Sequence, residues 1–273
     1  MFSLQKISVS VYVAFLPGLL IAGDPYIMPA GASQAGMAYV SVMKPGFWSS
    51  FHNQASLSLY RKYSCGVNYE NRFGLTELGT CTAGITIPAG RASLAGVYSR
   101  FGYTDFRREM TGIACALPVS DKFSAGIQID YFSERTYGEY NNIQMLTFEA
   151  GVLLSASENL LIGIHLFNPI PNSLRKNDLV SALTVGAGTT LSDNLFAGLE
   201  AEMTTRGTID LRMGFEYEVA GNFIIRSGFR TMNSSFSFGI GYRAGPAVVD
   251  VAFATHEKLG ITSSVSLIFQ IKN

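Results

Sequence analysis

Charge is scarce in this 273-residue chain: 15% of its residues are Asp, Glu, Lys or Arg, and 20 basic side chains balance 20 acidic ones to a net of zero. A surface without a basic excess has no electrostatic footprint for nucleic acid, which excludes that class of partner. Histidine is limited to His52, His165 and His256, and neither a His-x-Ser pattern nor a carboxylate pair accompanies them at strand spacing. A nucleophilic triad needs mutual hydrogen-bond reach, and a zinc site needs clustered ligands. No enzymatic activity, metal or cofactor is therefore expected.

Cysteine is limited to Cys65, Cys81 and Cys115. An odd number in an exported chain suggests a reactive thiol or an intermolecular bridge, unless the thiols serve as small apolar side chains. Long apolar runs are absent after residue 22, so no segment reaches the roughly 18 residues of a membrane helix. The one apolar stretch, Ile7 to Ala22, follows Lys6, is broken by Pro17 and ends at Ala22-Gly23. That layout predicts a cleavable signal peptide over 1–23, with a retained anchor as the alternative.

What is abundant is glycine (28), phenylalanine (19) and tyrosine (13), with 48% hydrophobic residues and a positive mean hydropathy. This balance favours strands and is rather apolar for a soluble all-β domain. The hydrophobicity is divided into alternating pieces. Ile209, Leu211, Met213, Phe215, Tyr217 and Val219 share one parity; Asp210, Arg212, Gly214, Glu216 and Glu218 share the other. Segments from Phe123 and Leu195 repeat the arrangement. Successive strand side chains point to opposite faces, so each piece has an apolar side and a polar or glycine side.

A corner recurs as Ser-Asp-Lys (120–122), Ser-Glu-Asn (157–159), Ser-Asp-Asn (192–194) and Ala-Gly-Asn (220–222). Each suits a three-residue hairpin loop with a left-handed third residue. Longer connections fall between them, at 70–77, 101–108, 134–142, 169–181, 204–208, 231–234 and 256–260. About fourteen strands result, beginning near Tyr63 and ending in SVSLIFQI, with tight turns on one side and longer loops on the other. The expected fold is all-β: a transmembrane antiparallel barrel over 63–273, in the outer membrane of a Gram-negative bacterium, with both termini periplasmic. A soluble sandwich or propeller would need a second layer over the apolar faces, and no segment is left to supply it.

All three cysteines share the lipid-facing parity. The lumen parity gathers Asp130, Glu149, His165, Glu200, Glu202, Asp210, Arg212, Glu216, Glu218, Arg226, Arg230 and Arg243. If loop 220–222 closes in its simplest register, Val219 faces Phe223 and Glu216 faces Arg226. Such charges either brace the barrel internally or form a substrate-selective lining.

Residues 24–62 precede the regular hairpins. They contain Gly31-Ala32-x-x-Ala35-Gly36-Met37-Ala38 and then Trp48-Ser49-x-Phe51-x-Asn53-x-Ala55-x-Leu57. This pair of patterns, continued by YENRFGLTELG, SAGIQIDY, TFEAGV and IGIHLFNPI, resembles the PorV/PorQ-type outer-membrane proteins frequent in Bacteroidota, relatives of the FadL long-chain fatty-acid transporters. The resemblance covers most of the chain after residue 23. Gln54 departs from it, because relatives carry Asn-Pro-Ala where this chain has Asn53-Gln54-Ala55. It implies that 24–62 enters the lumen as a plug, in which Trp48, Phe51, His52 and Asn53 either seal the barrel or form a hatch that moves. It also implies an accessory role beside other outer-membrane proteins of a secretion or barrel-assembly machinery. The alternative is a FadL-like channel for a hydrophobic ligand. Short outer connections and a charged lumen list favour the accessory role.

Overall fold

The computed structural model describes residues 27–137, 142–169, 179–219 and 221–271. The expected signal peptide at 1–23 lies outside the described residues.

Fourteen antiparallel strands close into one barrel: β1 (Tyr63–Asn71), β2 (Gly79–Ala89), β3 (Ala92–Gly102), β4 (Phe106–Pro118), β5 (Phe123–Thr136), β6 (Ile143–Ser155), β7 (Leu160–Phe167), β8 (Ala182–Ser192), β9 (Leu195–Thr204), β10 (Ile209–Glu218), β11 (Phe223–Arg230), β12 (Ser235–Ala244), β13 (Ala247–His256) and β14 (Gly260–Ile271). Each strand pairs with its sequence neighbour, and β1 closes on β14 from Tyr63↔Ile271 to Asn71↔Ser263. Closure satisfies every strand edge, a requirement in lipid, where an unpaired backbone amide has no water to bond. The expected fourteen-strand barrel is what the chain forms.

Alternation sets the faces. On β10, Ile209, Leu211, Met213, Phe215 and Tyr217 are exposed, while Asp210, Arg212 and Gly214 are buried. The pattern is inside-out relative to a soluble protein: Ile113 is 72% exposed and Asp130 0%. Among the described residues no helix is long and apolar enough to cross a membrane; the strands, 8 to 14 residues long, have the length for a tilted crossing of the hydrocarbon core. Cys65, Cys81 and Cys115 are free, and all three have the outward parity.

The corners close as three-residue loops at Val119/Phe123, Ala156/Leu160 and Val219/Phe223, where the first residue's N–H donates to the last residue's carbonyl. One detail differs. Lys122, Asn159, Asn194 and Asn222 do not adopt positive φ; among the tight turns that conformation falls to Gly90, Gly221 and Gly245. In the loops at 119–123 and 156–160 two successive N–H groups converge on one carbonyl, Phe123 O or Leu160 O, and this tightening needs no left-handed third residue.

Residues 27–59 thread the lumen as a short helix α1 (Ala32–Ala35) and two 3₁₀ turns, Phe47–Phe51 and Gln54–Ser58. Met37, Val40, Val42, Met43, Trp48, Asn53, Gln54 and Leu57 are buried there. The tight turns and Ile271 lie at one end of the barrel, whereas Ile27 and Met28 pack at the other, near the loops that follow β1, β9, β11 and β13. The two ends of the described chain are therefore at opposite barrel ends.

Candidate functional site

The lumen segment sits on a belt of glycines. Gly126 is opposite Gly151, Gly163 opposite Gly186, and Gly198 opposite both Gly188 and Gly214, with Gly228 opposite Gly214. A Cβ at Gly163 would lie 2.3 Å from Val42 O, at Gly151 2.0 Å from Asn53 Oδ1, at Gly126 2.5 Å from Ala55 N and at Gly228 2.4 Å from Met37 C. Each glycine lets the plug, through its backbone or at Gly151 through the Asn53 side chain, approach the wall closer than any wall side chain permits.

Polar ties then fix the register of plug on wall. Glu200 on β9 accepts from the backbone N–H groups of Ser41 (2.9 Å) and Val42 (3.0 Å), and its other oxygen meets Arg212 Nη1 at 3.1 Å. Asn53 donates to Val42 O (2.6 Å) and to Val152 O on β6 (3.0 Å), while its side-chain oxygen caps the second 3₁₀ turn at Ala55 N. Gln54 donates to Glu149, which also holds His165 Nε2 at 2.9 Å. Tyr39 donates to Glu70, which pairs with Arg72 at 2.9 Å. Lys44 reaches Glu216 at 2.6 Å. Burial lowers the Lys44 ammonium, opposed by Glu216. Burial likewise pushes the His52 imidazole down to about 4, opposed by its hydrogen bond to Ala30 O and reinforced by His165 and Arg212.

Above the plug, at the long-loop end, lies a cavity of about 590 Å³. Ile27, Met28 and Phe51 from the plug and Met110, Phe167, Ala182, Ala252, Ala254 and Leu259 from the wall supply its apolar area; Tyr39, His52, Glu70, Arg72, Glu149, His165, Glu200, Glu202, Arg212 and Arg230 also line it and make its floor and rim polar. A smaller cavity of about 160 Å³ lies on the far side of α1, beneath Met37, Val40 and Lys44. Segment 35–40 is the septum: Ala35, Ala38 and Tyr39 face the larger cavity, Met37 and Val40 the smaller. Ala38 (φ 54°) and Tyr39 (φ 65°) hold left-handed backbone there, an unfavourable conformation for side-chain-bearing residues.

The residues singled out from sequence divide as follows. Trp48 is buried with Phe47 edge-on at 4.7 Å and Phe51 at 6.0 Å; it lines the smaller cavity, whereas Phe51, His52 and His165 line the larger one. Asn53 lines neither cavity and ties Val42 of the plug to Val152 of β6. Glu216 stands opposite Arg226 in register, with Oε2 2.7 Å from Nε, and Arg226 also meets Asp250 at 2.6 Å. Arg212 and Arg230 are themselves register partners, and both bind Asp210, at 2.7 and 2.6 Å. Sequence reasoning missed Tyr39, Lys44, Gln54, Glu70 and Asp250 as partners. The parity of β1 and β13 places Glu70 and Asp250 in the lumen, but nothing in the sequence pairs them with plug or wall. Among the described residues no group of three or more His, Cys, Asp or Glu side chains could hold a metal ion.

No family model and no curated protein matches this chain. Solved structures do. The monoaromatic hydrocarbon channel CymD superposes with a TM-score of 0.71 at 11% identity, covering 91% of this chain and 99% of CymD. The toluene transporter TbuX of Ralstonia pickettii gives 0.67 at 11%, over 90% and 98%. A FadL homologue from Pseudomonas aeruginosa gives 0.60 at 14%, over 88% and 96%. The fold is that of FadL-type channels. These likenesses support the FadL side of the sequence resemblance and give the PorV/PorQ side no support. They also overturn the accessory-subunit expectation, since the proteins that share the whole architecture are channels and transporters of hydrophobic small molecules. That expectation failed for a physical reason. It counted strand charges and did not see that plug residues and strand ends add apolar area to the chamber that several of those charges line.

Proposed function

We propose that this protein is a non-catalytic, FadL-like channel of a Gram-negative outer membrane that admits a hydrophobic small molecule. In this reading the long-loop end faces the exterior, the tight turns and the C-terminus face the periplasm, and the plug is a hatch on the route inward. The observation that carries it is the apolar cavity of about 590 Å³ between the loops and the plug. That volume suits a small ligand (pockets for such molecules span about 300–1,000 Å³), and apolar walls with a few polar points are the usual composition. The charges that line its floor, Glu149, His165, Glu200, Glu202, Arg212 and Arg230, are engaged with wall and plug partners rather than offered to a polar solute. Equilibrium binding of toluene to the purified barrel tests the reading. Ala254→Trp fills the chamber from β13 and should abolish saturable binding while leaving an intact barrel. Undiminished binding to that variant would place the ligand elsewhere and refute the proposal.

A further inference from the structure

The outer wall carries an asymmetry that the transport route does not use. Among the described strand residues, the charged ones with outward parity are Arg100 on β3, Arg107 and Glu109 on β4, and Arg135 on β5. The outward positions of the other eleven strands are uncharged. All four lie near the long-loop end of adjacent strands: Arg107 is the register partner of Arg135, and Arg100 that of Glu109. Glu109 is already engaged, accepting from Tyr98 Oη at 2.7 Å and meeting Arg107 Nε at 3.5 Å. Arg107 Nε is itself buried beside Glu109 and makes no hydrogen bond, so it is not the atom offered outward. Asp105, in the β3–β4 loop, is the other acid nearby, and its carbonyl takes the Tyr137 N–H.

Two arginines directly opposite each other on a sheet repel, and three cations against the engaged Glu109 and the loop residue Asp105 still leave a net positive patch. Immediately toward the barrel's middle come Tyr98 and Tyr131, both exposed, and then Ile113, Ile127 and Ile129. The order along the strands is arginine, tyrosine, aliphatic. Tyrosine marks the depth where headgroup meets acyl chain in a membrane barrel. The arginines therefore stand at headgroup depth, and their planar forks match phosphate oxygens. Arginines placed there only to mark the interface would recur around the rim, but these are confined to three adjacent strands.

We infer that the outward Arg100–Arg107–Arg135 patch binds a headgroup phosphate of a lipid in the leaflet at the long-loop end. The depth assignment rests on the membrane-channel reading, but the binding itself does not require transport. The test is native mass spectrometry of the purified barrel with bis-phosphorylated lipid A, the same lipid lacking its phosphates, and inorganic phosphate as competitor. The barrel should retain one bis-phosphorylated lipid. The triple variant Arg100→Gln/Arg107→Gln/Arg135→Gln should bind it on the order of a hundredfold more weakly, each cation contributing a factor of about five. The control Arg61→Gln/Arg91→Gln, at the tight-turn end, should bind as the native protein does. Equal retention by the triple variant, or of the phosphate-free lipid, would overturn the assignment. Displacement by millimolar inorganic phosphate would overturn it too, leaving a plain anion site. Toluene binding should be unchanged in the triple variant, so failure here and failure of the channel proposal are distinguishable.

Discussion

The closeness of plug and wall makes Gly163→Ala a sharp perturbation. Gly163 has an ordinary strand conformation, so alanine costs the barrel nothing in backbone strain and removes some unfolded-state freedom. Its methyl group, however, would lie 2.3 Å from Val42 O, 2.6 Å from Val42 C and 2.9 Å from Met43 Cα. Backbone cannot rotate away as a side chain can, so the plug must lift by about 1 Å to reach ordinary van der Waals separation. At risk are the two N–H bonds to Glu200, at 2.9 and 3.0 Å, and the 2.6 Å bond from Asn53 to Val42 O. Hydrogen bonds to a charged group contribute about 1.5–3 kcal/mol each and neutral ones about 1, so the seating of the plug should weaken by about 4–7 kcal/mol if all three are lost. The assay is maleimide labelling of Ser41→Cys, buried in the plug, with Cys65, Cys81 and Cys115 replaced by alanine. Labelling through transient plug opening should accelerate by about 10³–10⁵-fold, while the unheated barrel keeps its compact gel mobility. Gly96→Ala is the control: it faces lipid, with its nearest neighbour the flexible Ile85 Cγ2 at 3.3 Å. Native labelling rates in Gly163→Ala would show that the plug does not rest on this glycine.

Three other outcomes follow from the same geometry. Glu216→Lys should weaken the barrel, since it faces Arg226 and Lys44 with a third cation; adding Arg226→Glu should restore little, because Lys44 and Asp250 remain beside the exchanged charges. Full recovery in denaturant melts would mean that the pair is isolated. The His52 imidazole is held near 4 against an ordinary 6.5, so the released plug binds more protons between those values. The seating is fully stable above about pH 6.5 and loses about 3 kcal/mol as pH falls toward 4. Plug labelling should accelerate over that window, and His52→Gln should remove His52's share of the acceleration; an unchanged profile in that variant would exclude His52 as its source. Trp48→Ala should loosen the Phe47/Phe51 cluster by about 3–5 kcal/mol and raise toluene passage, and unaltered passage would reduce Trp48 to filler.

The barrel was legible because alternation is a local property with a long run: each strand such as Ile209–Glu218 declares its own faces, and the corners at 119–123 and 156–160 declare the registry. Glu216 opposite Arg226 followed from counting back from one turn. The cavity was not legible in that way. Its lining joins Ile27 and Phe51 to Ala182, Ala252 and Leu259, residues brought together only by closure and by threading of the plug. The same limit hid Gln54: its departure from the family pattern was visible, but its bond to Glu149 depends on where the second 3₁₀ turn meets β6. Glycine carried a signal that was read too generally. Interior glycines at 126, 151, 163, 186, 198, 214 and 228 implied room inside, and their register shows that the room is a fitted seat.

Uptake of radiolabelled toluene by cells expressing this chain in an otherwise impermeable outer membrane reads channel function itself. Uptake should be saturable and above the empty-vector level, abolished by Ala254→Trp and raised by Gly163→Ala. Uptake equal to the empty vector across a panel of hydrophobic small molecules, with folded protein present in the outer membrane, would contradict it.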